Sequence, residues 1–295
     1  MIKKILITGG NGFIAKSLND FFKNNYDIDL CNREKLDLLN TEDVYEYIKK
    51  NKFDVVIHSA TYDAAPNFSD KDPNKVLQNN LTMFYNLARC NDYFGKMIYF
   101  GSGSEFGREN WTSNMGEDYF DKYIPTDWPY GFSKYIMSKY TSSSNNIYNL
   151  RIFGLFGQYD DWRYRVISNL CCKAVLDLPL IIKNNVLFDF VYIGDLCKVV
   201  KWFIDNNPKY NIYNVCGGIT YQYKELAEKV LEISNKKLDI VVEDENLNQI
   251  CGGNNSLLLS EMIDFKFSKI DDSIKKMYNW YNSNKNIIKP ELFEY

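Results

Sequence analysis

Histidine is almost absent from this sequence of 295 residues; there is one, His58. That scarcity excludes a histidine-rich metal centre, so no metal site is expected, and it leaves a Ser-His-Asp triad with a single candidate base. His58 closes the run Phe53-Asp-Val-Val-Ile-His58 and reads as the buried end of a strand rather than as a base. The seven cysteines are an odd number and include the adjacent pair Cys171-Cys172; neither a disulfide framework nor paired CxxC zinc ligands can be drawn from them. This usage points to a reduced, cytoplasmic protein. A basic surplus is also missing: the net charge is −3, so no nucleic-acid partner is expected. No apolar run reaches the roughly 18 residues of a membrane span, so no membrane partner is expected either. The first strand pattern begins by Ile5, which leaves no room for a secretory leader. Linkers, repeats and low-complexity blocks are absent.

What is present is alternation. Strand signals occur at residues 4–7, 28–31, 55–58, 96–101 and 147–152. Helical patterns lie between them at 14–24, 41–51, 74–93 and 129–142, with Thr41 as a cap before the first-turn acids Glu42 and Asp43. Alternating strands and helices predict an α/β fold: a doubly wound parallel (Rossmann) sheet covered on both faces. After Gly157 the alternation loosens. Helices are expected at 163–176, 196–205 (capped by Asp195), 221–233 and 268–283, and strands at 187–193 and 210–215. The expected organisation is a dinucleotide-binding domain at 1–157, with 186–206 returning to it. A smaller, interleaved C-terminal α/β substrate lobe would comprise 158–185 and 207–295.

The first strand pattern empties into Thr8-Gly9-Gly10-Asn11-Gly12, and amphipathic sequence follows from Phe13 and Ile14. A strand, a glycine turn and a helix N-terminus make a site for an anionic phosphate, because free backbone N–H groups and the helix dipole both point at it. The spacing Gly9-x-x-Gly12-x-x-Ala15 keeps the residues at the turn and at the helix–strand contact small.

A second signal is Tyr130-Gly-Phe-Ser133-Lys134. Residues four apart share a helix face, and an ammonium near a phenol stabilises the phenolate, which suits alcohol–ketone chemistry. The same spacing recurs at Tyr45/Lys49, Tyr135/Lys139 and Tyr281/Lys285, so the pattern alone is weak. Only Tyr130 follows a proline at the start of a helical pattern. Upstream, the apolar strand Ile98-Tyr-Phe-Gly101 ends in Ser102-Gly103-Ser104-Glu105-Phe106-Gly107. The carboxyl ends of strands hold the ligand in such a sheet, which places Ser102 where a substrate oxygen could be hydrogen-bonded.

On these residues the chain resembles the extended short-chain dehydrogenase/reductases, the nucleotide-sugar epimerase, dehydratase and reductase family. Thr8-Gly9-Gly10-Asn11-Gly12-Phe13-Ile14-Ala15 is similar to its TGxxGxxG motif, Tyr130/Lys134 to its YxxxK and Ser102 to its Ser/Thr. The resemblance implies a Ser102-Tyr130-Lys134 triad. It further implies cofactor contacts at Thr8, Gly9, Gly12, Phe13, Ile14, Asn32, Arg33, Asp37, Leu38, Ser59, Ala60 and Thr61, and at Tyr130 and Lys134. Asp37 would meet adenine, Ser59-Ala60-Thr61 would lie beside the nicotinamide ribose, and Asn80 would be structural. Arg151-Ile-Phe-Gly-Leu-Phe-Gly157 resembles the family's R-x-x-N-x-Y-G strand exit, and Asp189-Phe-Val-Tyr-Ile-Gly-Asp195 its D-F-I-Y-V-x-D. A homodimer through the helices containing Tyr85 and Tyr130 is implied as well.

Departures narrow the function. Where the family's 4,6-dehydratases carry a glutamate, this chain has Ser104; Glu105, one residue later, would face the other side of a strand. The epimerase-reductases that make GDP-fucose use a cysteine at that position and a downstream histidine, and neither is present. Reduction of a C4 carbonyl needs neither group. The second strand ends Cys31-Asn32-Arg33, without the acid that binds a ribose 2′-hydroxyl; Arg33 suits a 2′-phosphate, so NADP(H) is favoured. NAD(H) stays open through Asp29. The family's diphosphate-binding arginine is Phe188 and its strand-exit asparagine is Gly154. Arg163 and Arg165 on the following helix, with Ser104 and Glu105, are the candidate substrate residues. The expected activity is NADPH-dependent reduction of a 4-keto nucleotide sugar. A C4 epimerase holding NAD and a non-catalytic dinucleotide sensor are the alternatives. The choice of sugar would fall to loops around 62–75, 108–128 and 158–185.

Overall fold

The computed structural model describes residues 2–63, 68–247 and 249–293. Its first half runs β1 (Lys4–Thr8), α1 (Phe13–Phe22), β2 (Asp27–Cys31), α2 (Thr41–Asn51), β3 (Val55–His58), α3 (Val76–Ala88), β4 (Lys96–Ser102), α4 (Pro129–Thr141) and β5 (Ile147–Ile152). There follow β6 (Gly154–Phe156), α5 (Val166–Val175), β7 (Leu180–Ile182), β8 (Leu187–Tyr192), α6 (Ile193–Asp205) and β9 (Ile212–Val215). The chain closes with β10 (Thr220–Gln222), α7 (Tyr223–Ser234), β11 (Ile240–Val242), β12 (Ile250–Cys251), α8 (Ser256–Glu261) and α9 (Ile270–Ser283).

The chain divides into two compact units. The first comprises Met1–Asn110, Gly116–Ile152 and Cys197–Val215. Its sheet has six strands in the order β2-β1-β3-β4-β5-β9, every pairing parallel. This is the doubly wound parallel sheet expected from the alternation. Ile5, Leu6, Ile7, Val56, Ile57, Met97 and Ile98 are fully buried, as strands covered on both faces require. The strand order reverses between β1 and β3, so the crevice at their carboxyl ends is the switch point where ligands bind in such sheets.

The second unit comprises Trp111–Met115, Phe153–Leu196 and Cys216–Tyr295. β8 pairs with β6, β10 and β12, and β7 pairs with β11. Helices α5, α7 and α9 bury Ile167, Leu170, Leu226, Val230, Ile274 and Met277 together.

These pairings correct the expected boundaries. The segment returning to the large sheet is 197–215 rather than 186–206. Strand β8 has its partners in the second unit, whereas β9 hydrogen-bonds along β5. Several helix ends also move. Asn40, not Thr41, caps α2: its side chain accepts from the N–H groups of Glu42 and Asp43, while the Thr41 hydroxyl donates to Asn86. Asp195 lies within the first turn of α6 and accepts from the backbone N–H and hydroxyl of Ser268, so it is a tether rather than a cap. The expected helix 74–93 is a short 3-10 turn, α3 and a second 3-10 turn.

Candidate active site

The glycine turn has the form its spacing predicts. Gly9 sits at φ +72°, and a Cβ there would lie 2.9 Å from the backbone of Ala60. Only glycine meets both conditions without displacing the neighbouring strand exit. Gly12 caps α1 and its N–H donates to the Gly9 carbonyl at 2.7 Å. Side-chain capping is absent at this helix end, in contrast to α2, and no acid occupies its first turn. Phe13 and Ile14 supply that first turn, and Ala15 is fully buried where the helix crosses the sheet. An uncapped helix N-terminus reached through a glycine elbow fits the diphosphate of a dinucleotide.

Thr8 locks this turn to the end of β3. Its hydroxyl lies 3.1 Å from Nδ1 of His58 and accepts from the Ala60 N–H, while the Ser59 hydroxyl donates to the Thr8 carbonyl at 2.6 Å. Asn80 bonds the Thr61 hydroxyl and both backbone groups of Tyr62, in keeping with a structural role. His58 is buried at the strand end, and desolvation, with the Lys134 charge adding to it, lowers its pKa to about 3. It stays neutral and serves as a strut.

At the end of β2, Arg33 and Asp37 meet in an exposed ion pair at 3.1 Å, beside the half-buried Asn32. Asp29 is committed elsewhere, accepting from Lys35 at 2.5 Å and from the Tyr47 hydroxyl at 2.7 Å. The side chain of Leu38, another expected cofactor contact, lies in the core, and its carbonyl accepts from Asn86.

The residues of the expected triad come from two elements, the carboxyl end of β4 and the start of α4. Ser102 ends the strand and caps a 3-10 turn, Gly103–Phe106. Its Oγ accepts from the Ser104 N–H at 3.2 Å, which leaves its own proton to be donated. Tyr130 and Lys134 lie in the first two turns of α4, entered through Pro129. Lys134 is buried, its Nζ donates to the Phe100 carbonyl at 2.7 Å and lies 5.7 Å from the centre of the Tyr130 ring. Burial pulls the ammonium down to about 8, opposed by the carboxylates of Glu105 and Asp63. A cavity of about 260 Å³ lies just ahead of Tyr130, lined among others by Arg108, Asn110, Pro125, Asp127 and Trp128.

The candidate substrate residues fare differently. Ser104 is buried, and its Oγ has no hydrogen-bond partner among the described residues. Glu105 is withdrawn: it is fully buried and paired with Arg151 at 2.7 Å. It leaves the surface because Ser102–Glu105 form a capping box in a 3-10 turn rather than an extended strand. Arg163 and Arg165 precede α5 instead of riding on it; Arg165 is its N-cap. Both Nε and Nη2 of Arg163 are bound by Asp161, at 2.8 and 2.6 Å. Of the loop 62–75, residues 64–67 lie outside the described residues.

The sequence reading missed a buried network in the first unit. Arg151 donates to Glu105, to Asn214 at 3.0 Å and to Ser138 at 3.3 Å, with its guanidinium over the rings of Phe106 and Phe120. Asn149 donates to both Glu105 oxygens and to Ser138 at 2.8 Å. The signal was available in Ser102-x-x-Glu105, the S-x-x-E pattern of a capping box.

In the second unit Asp189 accepts from the N–H groups of Gly217 and Gly218 at 2.6 and 2.8 Å. A Cβ at Gly154 would lie 2.5 Å from the Asp189 carbonyl and 3.0 Å from the Phe188 ring, so the aromatic at 188 and the missing side chain at 154 are one packing solution. Among the described residues there is no cluster of three metal-ligating side chains, and no helix is long and apolar enough to cross a membrane.

A sequence profile described as the NAD dependent epimerase/dehydratase family matches residues 5–216. The chain belongs to that family. It is accordingly an NAD(P)-dependent enzyme. It is similar to GDP-6-deoxy-D-talose 4-dehydrogenase of Aggregatibacter actinomycetemcomitans, 23% identical over 291 residues, 93% of this chain and 97% of that one. Its fold matches an NADP-bound GDP-L-fucose synthetase of Naegleria fowleri with TM-score 0.82, at 17% identity, over 96% of this chain and 94% of that one. It also matches an NADP-bound GDP-mannoheptose C4 reductase of Campylobacter jejuni with TM-score 0.80, at 22% identity, over 95% of this chain and 98% of that one.

Proposed function

We propose that this family member is an NADPH-dependent reductase of the C4 carbonyl of a 4-keto nucleotide sugar. The observation that carries the reading is the junction of β4 and α4. Ser102, whose Oγ accepts from the Ser104 N–H, ends β4 there, Tyr130 and the buried Lys134 share a face of α4, and the carboxylate of Glu105 is consumed by Arg151. Dehydration needs a carboxylate able to take a proton from carbon, and that position holds the hydroxyl of Ser104.

NADPH, when bound, supplies the hydride. Tyr130 donates its proton to the carbonyl oxygen as negative charge develops there. The Lys134 ammonium stabilises the tyrosinate left behind, and Ser102 donates a hydrogen bond to the same oxygen. Gly9, Gly12 and the first turn of α1 would hold the diphosphate, with Thr8 and the segment Ser59–Thr61 shaping the wall beside them. The Ser104 hydroxyl, buried and without a hydrogen-bond partner among the described residues, lies beside Ser102 in the same turn. The exposed Arg33, paired with Asp37, would meet a 2′-phosphate, and the commitment of Asp29 to Lys35 and Tyr47 supports NADP over NAD. The names and bound cofactors of the relatives support the GDP-sugar and NADP readings.

A 4-epimerase using the same three residues reversibly is the second reading, favoured by the family's epimerase members. The two separate on the cofactor: NAD released only by denaturing the purified protein favours the epimerase. A homodimer through α3 and α4 and a cytoplasmic location belong to the same proposal. All seven cysteines are buried and outside disulfides, which suits a reducing compartment. The test is purified protein with NADPH and a panel of 4-keto-6-deoxy nucleotide sugars, in which at least one is expected to oxidise the cofactor. Silence across the panel would remove the reductase reading.

A further inference from the structure

Beneath the reactive turn lies an ionic network for which the scheme above has no use. Glu105 and Arg151 are both fully buried. A buried ion pair is rarely more stable than apolar side chains of the same shape, so stability alone does not account for it. Its attachments do. Glu105 Oε1 accepts from the Ser102 N–H at 3.0 Å and closes the capping box that orients Ser102. Asn149 and Arg151 both grip Ser138, one turn beyond Lys134 on the same face of α4. The backbone is fitted to this pair: a Cβ on Gly101 would lie 2.2 Å from both Asn149 Oδ1 and Glu105 Oε1.

The network also bears on charge. The Lys134 ammonium is faced by the Tyr130 ring on its own helix, the Phe100 carbonyl of β4, His58 at the end of β3, Asp63 just beyond β3, and Glu105 in the capped turn. Two of these are carboxylates, and the Glu105 charge has the larger influence in keeping the lysine protonated against its burial.

Resting on the reductase reading, we propose that Glu105, held by Arg151, is the positioning residue of this active site: it orients Ser102 through the capping box and sets a fixed negative charge facing Lys134. Glu105 itself touches neither carbonyl nor cofactor in this scheme.

The test compares wild type, Glu105→Gln and the double variant Glu105→Leu/Arg151→Met. Glu105→Gln leaves Arg151 buried without its counter-ion and is expected to lower the melting temperature. The double variant removes both charges, keeps bulk, and is expected to melt within a few degrees of wild type. In the double variant, which loses the capping box, kcat should fall by roughly 10- to 100-fold with a smaller change in KM, the cost of a misplaced catalytic group; in Glu105→Gln, whose amide oxygen still accepts from the Ser102 N–H, the fall should be smaller. The alkaline limb of the pH–rate profile should move toward neutrality in both, because Lys134 loses the charge that favours its protonated form. A double variant that regains wild-type kcat along with its melting temperature, or an alkaline limb that stays in place, would overturn the proposal. A second arm needs no sugar. Lys134 is the group expected at the nicotinamide ribose, so the pH dependence of NADPH affinity, read by cofactor fluorescence, should inflect at lower pH in Glu105→Gln. If wild type reduces no 4-keto sugar, the reductase reading falls and this titration alone decides: an inflection unmoved by Glu105→Gln refutes the role of Glu105.

Discussion

Replacing Gly9 with alanine should cost both stability and cofactor affinity, and the structure says how much. Residue 9 sits at φ +72°, where an L side chain pays about 1–2 kcal/mol. The added Cβ would stand 2.9 Å from Ala60 Cα and N, closer than such atoms approach, and both obstacles are backbone. Relieving that overlap adds about 1–3 kcal/mol. Moving Gly9 away from Ala60 also strains the bonds that tie the two loops, Ser59 Oγ to the Thr8 carbonyl at 2.6 Å and the Ala60 N–H to Thr8 Oγ1 at 3.2 Å. The sum, about 2–5 kcal/mol, corresponds to a melting temperature lowered by roughly 5–15 °C in a chain of this size. Gly12→Ala is the control. A Cβ there would touch only the Gly9 carbonyl, at 3.1 Å, and its φ of −83° suits any residue. That variant should melt within about 2 °C of wild type yet bind NADPH at least tenfold more weakly, because backbone there must approach the diphosphate. Circular dichroism melts and NADPH fluorescence titrations on the same samples read both quantities. Equal melting temperatures for Gly9→Ala and wild type would refute the reasoning, as would a collapse of Gly12→Ala.

Tyr130→Phe should reduce turnover by about 100- to 10,000-fold, the usual yield of general acid catalysis, while NADPH affinity stays within a few-fold; unchanged turnover would remove Tyr130 from the mechanism. Arg33→Ala should weaken NADPH binding by roughly tenfold or more and leave NADH binding unaffected, since only the former carries a 2′-phosphate; equal losses would count against the assigned cofactor. Burial raises Asp189 to about 7, above its ordinary carboxylate value, so between roughly pH 4 and 7 the folded state holds a proton that the unfolded chain releases. Its contribution to stability should therefore decline as pH rises through that window, and melts of Asp189→Asn should show a flatter pH dependence than wild type. A wild type whose stability climbs by the same amount as the variant's over that range would contradict the shift.

The large sheet was legible because its strands are short apolar runs separated by helices with clear periodicity: residues 55–58 and 147–152 match β3 and β5 end for end. The second unit was less so. β6, β7, β10 and β11 have three residues each and β12 two, too short to carry a period, and their pairing is set by contacts distant in the chain. The return segment was misplaced for the same reason, since β8 and β9 look alike as sequence and differ only in which strand they meet. At the site, the local backbone was legible: the turn from Gly9 to Gly12, the end of β4 at Ser102, and the shared helix face of Tyr130 and Lys134. Residues whose role depends on a distant partner were misjudged. Glu105 looked like a substrate group until Arg151, 46 positions away, was seen beneath it. Arg163, a candidate diphosphate clamp, is held by a near neighbour instead, Asp161 two residues before it.

The most direct measurement follows a labelled hydride. NADPH carrying two deuterium atoms at C4 of the nicotinamide is incubated with the protein and a 4-keto-6-deoxy GDP-sugar, and the product is examined by NMR and mass spectrometry. The proposed mechanism predicts one deuterium at C4 of the sugar for each NADP+ formed, and its loss in Tyr130→Phe. A product interconverted at C4 with no net oxidation of NADPH, or no transfer of deuterium to any 4-keto sugar, would contradict it.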